Sequence, residues 1–276
     1  MVPAVDAHPA PVPPEALVSA LREGVAALGL TLTPAQESQL LAYLEAILDW
    51  NTRLNLTAVR DPLAAVERHL LDSLSVVPAW AALRGDEPPA RFLDVGTGGG
   101  FPGAPLAVAW PAAEGLLIDG TGKKVRAVAD ALARAGIGNA EALQCRGHLL
   151  PRERPSTIRS FDLCVARAVG RAATLLREVA PLAAPGGLVL LMKGPEPPAD
   201  EVEEAHQAAR ECGLAFAGTH PSGVPGRDRG AILAYRADAV RPVRRPRGAE
   251  RRADRRAPPG GSPGDRRGGP RRGRRR

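Results

Sequence analysis

The sequence predicts a doubly wound, Rossmann-like α/β domain with a mostly parallel sheet, a helical cap in front of it and a coreless basic tail behind it. Three observations predict this architecture. Residues 15–80 carry apolar side chains at helical spacing, with no strand pattern. From Arg91 onward, short apolar runs alternate with helical patterns. The first of those runs breaks into a loop with four glycines, Gly96, Gly98, Gly99 and Gly100. At 276 residues, 44% hydrophobic and 24% charged, the chain is long enough to bury one substantial core.

Residues 1–14 are proline-rich, with neither a basic start nor an apolar stretch, and read as a disordered leader, not a signal peptide. Leu17, Leu21, Val25 and Leu28 mark a first helix over 15–30 that ends in a glycine stop. Thr33-Pro34-Ala35-Gln36 has the form of a capping box and opens a second helix that closes near Trp50-Asn51. Asp61-Pro62 caps a third, through Leu63, Val66, Leu70 and Leu74. Asn55 and Arg60 are expected to fix the loop between the second and third. Together these helices make a cap over 15–80.

From Arg91, strands are expected at 91–95, 115–119, 140–144, 161–166 and 187–193, with helices near 103–109, 122–135, 171–183 and 199–212. A βαβα series makes right-handed crossovers, puts helices on both faces and leaves the ligand beyond the C-terminal strand ends. Pro185-Gly186-Gly187 reads as a helix stop before a buried strand. Residues 214–218 and 231–236 read as an antiparallel hairpin on the sheet edge. The α/β domain therefore spans 81–240, and the tail 241–276.

The net charge of +7 divides unevenly. Residues 241–276 hold fifteen arginines against Glu250, Asp254 and Asp265, a net +12, which leaves −5 for residues 1–240. A tail of Arg, Gly and Pro cannot pack a core; it is expected to stay disordered and to attract RNA by phosphate neutralisation. No apolar run reaches the length of a membrane span. Cys145, Cys164 and Cys212 form no CxxC pair, which predicts neither a disulfide frame nor a metal site and fits a reducing cytoplasm. Cys164, in a predicted buried strand, reads as core.

The glycine loop is the first candidate site. Glycines after a buried strand let a ligand lie directly against the main chain, and Gly96 and Gly98 are the positions expected to do so. The dinucleotide fingerprint requires a third glycine where this chain has the bulky Phe101, which argues against a nicotinamide oxidoreductase. Asp94 sits inside the strand just before the glycines, and Asp119 closes the next strand, at the distance of a ribose-binding acid. A ribose-binding acid without a pyrophosphate glycine fits S-adenosyl-L-methionine as the ligand.

Several further motifs follow in register: Trp50-Asn51, Asn55-Leu56-Thr57-Ala58, Arg68-His69-Leu70-Leu71-Asp72-Ser73-Leu74, the loop ending Phe101-Pro102-Gly103, Asp119, Gly122-Lys123-Lys124, Arg146, Arg167-Ala168, Pro185-Gly186-Gly187 and Lys193-Gly194. Over residues 30–236 this pattern resembles the ribosomal RNA small subunit methyltransferase G family (RsmG, or glucose-inhibited division protein B). The resemblance implies an S-adenosylmethionine-dependent enzyme that methylates N7 of a guanine in the 530 loop of 16S ribosomal RNA. It also implies cofactor contacts at Gly96, Phe101, Gly147, His148 and Arg167. The family usually has Arg-Ala-Glu or Arg-Val-Glu where this chain has Arg146-Gly147-His148, and Asp-Ser where it has Asp119-Gly120.

Guanine N7 has a lone pair and no hydrogen, so its methylation needs no general base and none is nominated. Positioning would carry the reaction. Arg146, Lys193 and Arg229 are the candidates for RNA phosphate, and Phe101 and Trp50 for stacking a displaced base. His69 and Asp72, three apart on one helix, face either the cleft or each other. The expected partner is 16S ribosomal RNA or the small ribosomal subunit, bound by a monomer. An RNA-binding assembly protein without catalysis is the rival from another class.

Overall fold

The computed structural model describes residues 12–167, 169–223 and 230–238. The leader up to residue 11, the basic tail and Arg229 lie outside the described residues. Two helices open the chain, α1 (Pro14–Ala27) and α2 (Pro34–Asn51). The capping box at Thr33 is present: the Gln36 amide donates to Thr33 Oγ1 at 3.3 Å, and the Thr33 amide to Gln36 Oε1 at 2.9 Å. Such a cap stabilises a helix by about 1 kcal/mol. The Gln36 side chain also donates to the Val108 carbonyl at 2.7 Å, fastening the cap to the α/β domain.

The predicted third helix differs from expectation. It starts as α3 (Pro62–Ala65), capped by Asp61, widens into a π-helix over Val66–Leu71 and resumes as α4 (Asp72–Leu74) and α5 (Val76–Arg84). The widened turn packs tightly on α1, where a Cβ on Gly24 would come within 2.0 Å of Leu71. The loop before it is fixed by Asn51, whose side chain accepts the Leu56 and Thr57 amides at 2.8 and 3.0 Å and donates to the Thr57 carbonyl at 3.0 Å. Asn55 and Arg60 are exposed.

The sheet has seven strands in the order β3-β2-β1-β4-β5-β7-β6, namely β1 (Arg91–Val95), β2 (Glu114–Asp119), β3 (Ala140–Gln144), β4 (Phe161–Arg167), β5 (Ala183–Lys193), β6 (Leu214–Ser222) and β7 (Gly230–Ala237). The first five run parallel, and β7 and β6 form the expected antiparallel hairpin. Between them run α6 (Gly103–Ala109), α7 (Gly122–Arg134), α8 (Leu150–Glu153), α9 (Ala172–Val179) and α10 (Ala199–Cys212). Pro185-Gly186-Gly187 is no helix stop: it lies inside β5, where the register against β4 shifts between Phe161 and Leu163.

Strand periodicity sorts the core into two layers. Phe92, Leu117, Leu163, Val165, Leu188, Leu190 and Ile232 join the cap, α6 and α7. Leu93, Ile118, Cys164, Val189, Leu191 and Tyr235 face α9 and α10. Cys164 is core, as expected. The cap thus shares its hydrophobic layer with one sheet face, inside a single compact unit.

Candidate functional site: a cleft beside the glycine loop

The C-terminal ends of β1, β2 and β3 open into a cleft of about 290 Å³, lined by Val95, Gly96, Asp119, Gly120, Thr121, Cys145, Arg146, Gly147, His148, Val169 and Glu178. This volume is at the lower end for small-molecule sites. The loop reaches it because Asp94, fully buried, ties both its ends: Oδ2 accepts the Thr97 hydroxyl at 2.5 Å and the Gly103 amide at 2.8 Å. Asp94 Oδ1 has no partner, and burial pushes this carboxyl up to about 6. Asp94 therefore holds the loop and stands away from the cleft lining.

Gly96 lines the cleft with φ +71°, a conformation that penalises any side chain, and a Cβ there would stand 2.4 Å from Val169. Asp119 also lines it. Its carboxylate accepts the Gly98 amide at 3.1 Å and the Thr121 amide at 2.8 Å, which binds the loop to the end of β2. Gly98 contributes this bond and is absent from the lining. Gly147 and His148 border the cleft, as does Arg146, an exposed guanidinium expected to meet RNA and placed here at the same cleft. Sequence reasoning missed Glu178, on α9, 3.7 Å from His148 Nδ1. Its only signal was a carboxylate at the end of an otherwise amphipathic helix.

Phe101 is a correction. The ring is buried on the cap side of the loop, stacked on His69 at 4.7 Å and edge-on to Tyr43 at 5.7 Å. Two elements of the cap, α2 and the π-helical turn, converge on it, so it is neither at the cleft nor open to a base. Arg167 is a second. Its guanidinium lies 5.5 Å from the Phe101 ring and donates to the Arg68 carbonyl at 2.8 Å and to Asp72 Oδ2 at 3.0 Å, clamping β4 to the π-helical turn. Lys193, expected to meet RNA phosphate, pairs with Glu201 at 2.8 Å in a half-buried setting. Trp50 donates to Asp130 at 2.7 Å beneath the Arg53 guanidinium.

His69 and Asp72 do not pair with each other. His69 Nε2 meets the Thr57 hydroxyl at 2.7 Å, Nδ1 has no partner, and burial together with the nearby Arg167 charge lowers the imidazole to about 4. Behind the loop, the buried Tyr43 hydroxyl donates to the Gly99 carbonyl at 2.9 Å. A Cβ on Gly100, at φ +84°, would stand 1.7 Å from that hydroxyl. Among the described residues no group of His, Cys, Asp and Glu is arranged to hold a metal, and no helix is long and apolar enough to cross a membrane.

A doubly wound sheet with a glycine loop after β1 and an acid closing β2 defines a Rossmann-like α/β domain. The solved structure of the [4+2]-cyclase SpnF shares this fold, with a TM-score of 0.51 at 16% identity over 76% of this chain and 98% of that one. The more specific likeness is in sequence. The rRNA small subunit methyltransferase G family matches residues 36–220, and the chain belongs to it. Ribosomal RNA small subunit methyltransferase G of Marinobacter nauticus is 38% identical over 223 residues, covering 80% of this chain and 96% of its own. The protein of the same name from Azoarcus sp. is 36% identical over 75% of this chain and 90% of its own.

Proposed function

We propose that this chain transfers a methyl group from S-adenosylmethionine to N7 of a guanine in the 530 loop of 16S ribosomal RNA. One observation carries the reading. The family match spans the cleft, where Gly96, Asp119, Gly147 and His148, far apart in sequence, border one concave site at the C-terminal strand ends.

The residues present fit such a donor. Gly96 leaves the main chain bare where the ligand must approach, and Asp119 offers a carboxylate to a ribose while its backbone bonds hold it in place. Gly147 and His148 border the space beyond. When bound, S-adenosylmethionine supplies an electrophilic methyl on a sulfonium. The protein's work is orientation: N7 attacks with its own lone pair and releases no proton, so no basic side chain is required. His69, held near 4, stays neutral at physiological pH and adds no cation beside Arg167. Arg146 is exposed at the cleft and available to an anionic group.

The test is transfer of labelled methyl to small ribosomal subunits that lack this modification, with modified subunits and transfer RNA as controls. Label confined to unmodified subunits, as N7-methylguanine, supports the proposal. Binding of the donor without transfer would direct the search to another RNA.

A further inference from the structure

We propose that Glu178 is a specificity-determining residue of the cleft, its carboxylate accepting an exocyclic amino N–H of an adenine base. This rests on the donor reading above. Two carboxylates line the cleft, Asp119 from β2 and Glu178 from α9, and they are differently employed. Asp119 already accepts two backbone amides. For Glu178 the contact among the described residues is His148 Nδ1 at 3.7 Å, longer than a hydrogen bond. Its side chain is 28% exposed, on a helix that turns Leu175, Leu176 and Val179 into the core. The carboxylate is therefore held at the cleft by a buried scaffold with its acceptor capacity unspent.

Gly147 supplies the second observation. Its φ is not positive, so the backbone does not demand glycine there. The space does: a Cβ would stand 2.8 Å from Glu178 Oε2 and 3.3 Å from Val95. The missing side chain is what lets the carboxylate stand beside this segment. The Gly147 and His148 amides have no acceptor among the described residues. This edge therefore presents N–H donors next to a carboxylate acceptor. Adenine offers the complement, a ring nitrogen acceptor beside an amino donor. Hypoxanthine reverses both, with a ring N–H facing donors and a 6-oxo group facing a carboxylate.

The experiment is calorimetric titration of the full chain with S-adenosylhomocysteine and with S-inosylhomocysteine, its 6-oxo counterpart. The wild-type chain is expected to prefer the adenosyl compound by at least about tenfold. Glu178→Gln should narrow that preference to about threefold or less, because a carboxamide can donate to the 6-oxo group as well as accept. Gly147→Ala, which displaces the carboxylate sterically, should narrow it too. His148→Ala, which keeps the backbone amide, separates the part of the imidazole from that of the carboxylate. A preference unchanged in both Glu178→Gln and Gly147→Ala would overturn the assignment, and so would equal collapse in Glu178→Gln and His148→Ala, since Glu178 would then act only through His148. A wild-type chain that binds neither compound would instead sink the donor reading itself.

Discussion

On its cleft side the glycine loop stands with Asp119, Gly147, His148 and Glu178 around an open space; on its cap side it is sealed by Tyr43, His69 and Phe101. Glycine serves different ends on the two sides. Gly96 keeps the main chain bare toward the cleft, whereas Gly100 admits a buried hydroxyl from the cap. The loop is thus thin on both of its sides. Its shape depends on residues more than fifty positions upstream as well as on its own sequence.

Substitutions on the two sides should separate stability from binding. Gly100→Ala is expected to act most strongly, since the new methyl overlaps the Tyr43 hydroxyl at a positive φ; a loss of roughly 3 kcal/mol or more in urea unfolding is predicted. Gly96→Val meets Val169 at the cleft edge and should abolish donor binding, at a stability cost of about 1–3 kcal/mol. Unchanged donor affinity would remove this glycine from the site. Tyr43→Phe leaves the buried Gly99 carbonyl unpaired and should cost about 1–2 kcal/mol, with affinity little altered.

Two buried groups behind the loop should give opposite pH dependences. Asp94 has a raised folded pKa of about 6, so between about 4 and 6 the folded chain holds a proton that the unfolded chain releases, and stability falls as pH rises. His69 has a lowered folded pKa of about 4, so from about 4 to its unfolded value stability rises with pH. The two slopes offset each other. Asp94→Asn should expose the rising one, a change on the order of 2 kcal/mol across that window, and His69→Phe the falling one. A flat profile in both variants would mean that neither group titrates as described. Smallest of all for the fold is removal of residues 241–276: unfolding should be unaffected, while the salt dependence of RNA binding becomes shallower.

Much of the fold was legible because strands buried on both faces write themselves as apolar runs. Residues 91–95 and 140–144 form strands at the expected bounds, and 103–109 and 199–212 helices. The capping box was legible because it is a local hydrogen-bond exchange across three residues. Pro185-Gly186-Gly187 misled because glycine and proline signal a break without saying whether it is a turn or a bulge within a strand. Gly96 and Asp119 were legible from the glycine loop and the strand ends, and Gly147 and His148 from the family resemblance; the fold brings all four to one cleft. Phe101 and Arg167 could not be placed, since which side of a loop a residue occupies depends on the cap that covers it. Glu178 was invisible for the same reason: only the folded chain brings the end of α9 to the end of β3.

The donor is expected to occupy the cleft at the C-terminal ends of β1–β3. Hydrogen exchange with and without S-adenosylhomocysteine tests it most directly, because a second groove of about 320 Å³, lined by Arg91, Glu114, Asn139 and Arg154, lies at the opposite strand ends and serves as an internal control. Ligand should slow exchange at 96–101, 119–122 and 145–149 and leave residues 138–141 and 154–157 unchanged. Protection confined to the second groove, or absent from the glycine loop despite saturating ligand, would contradict the account.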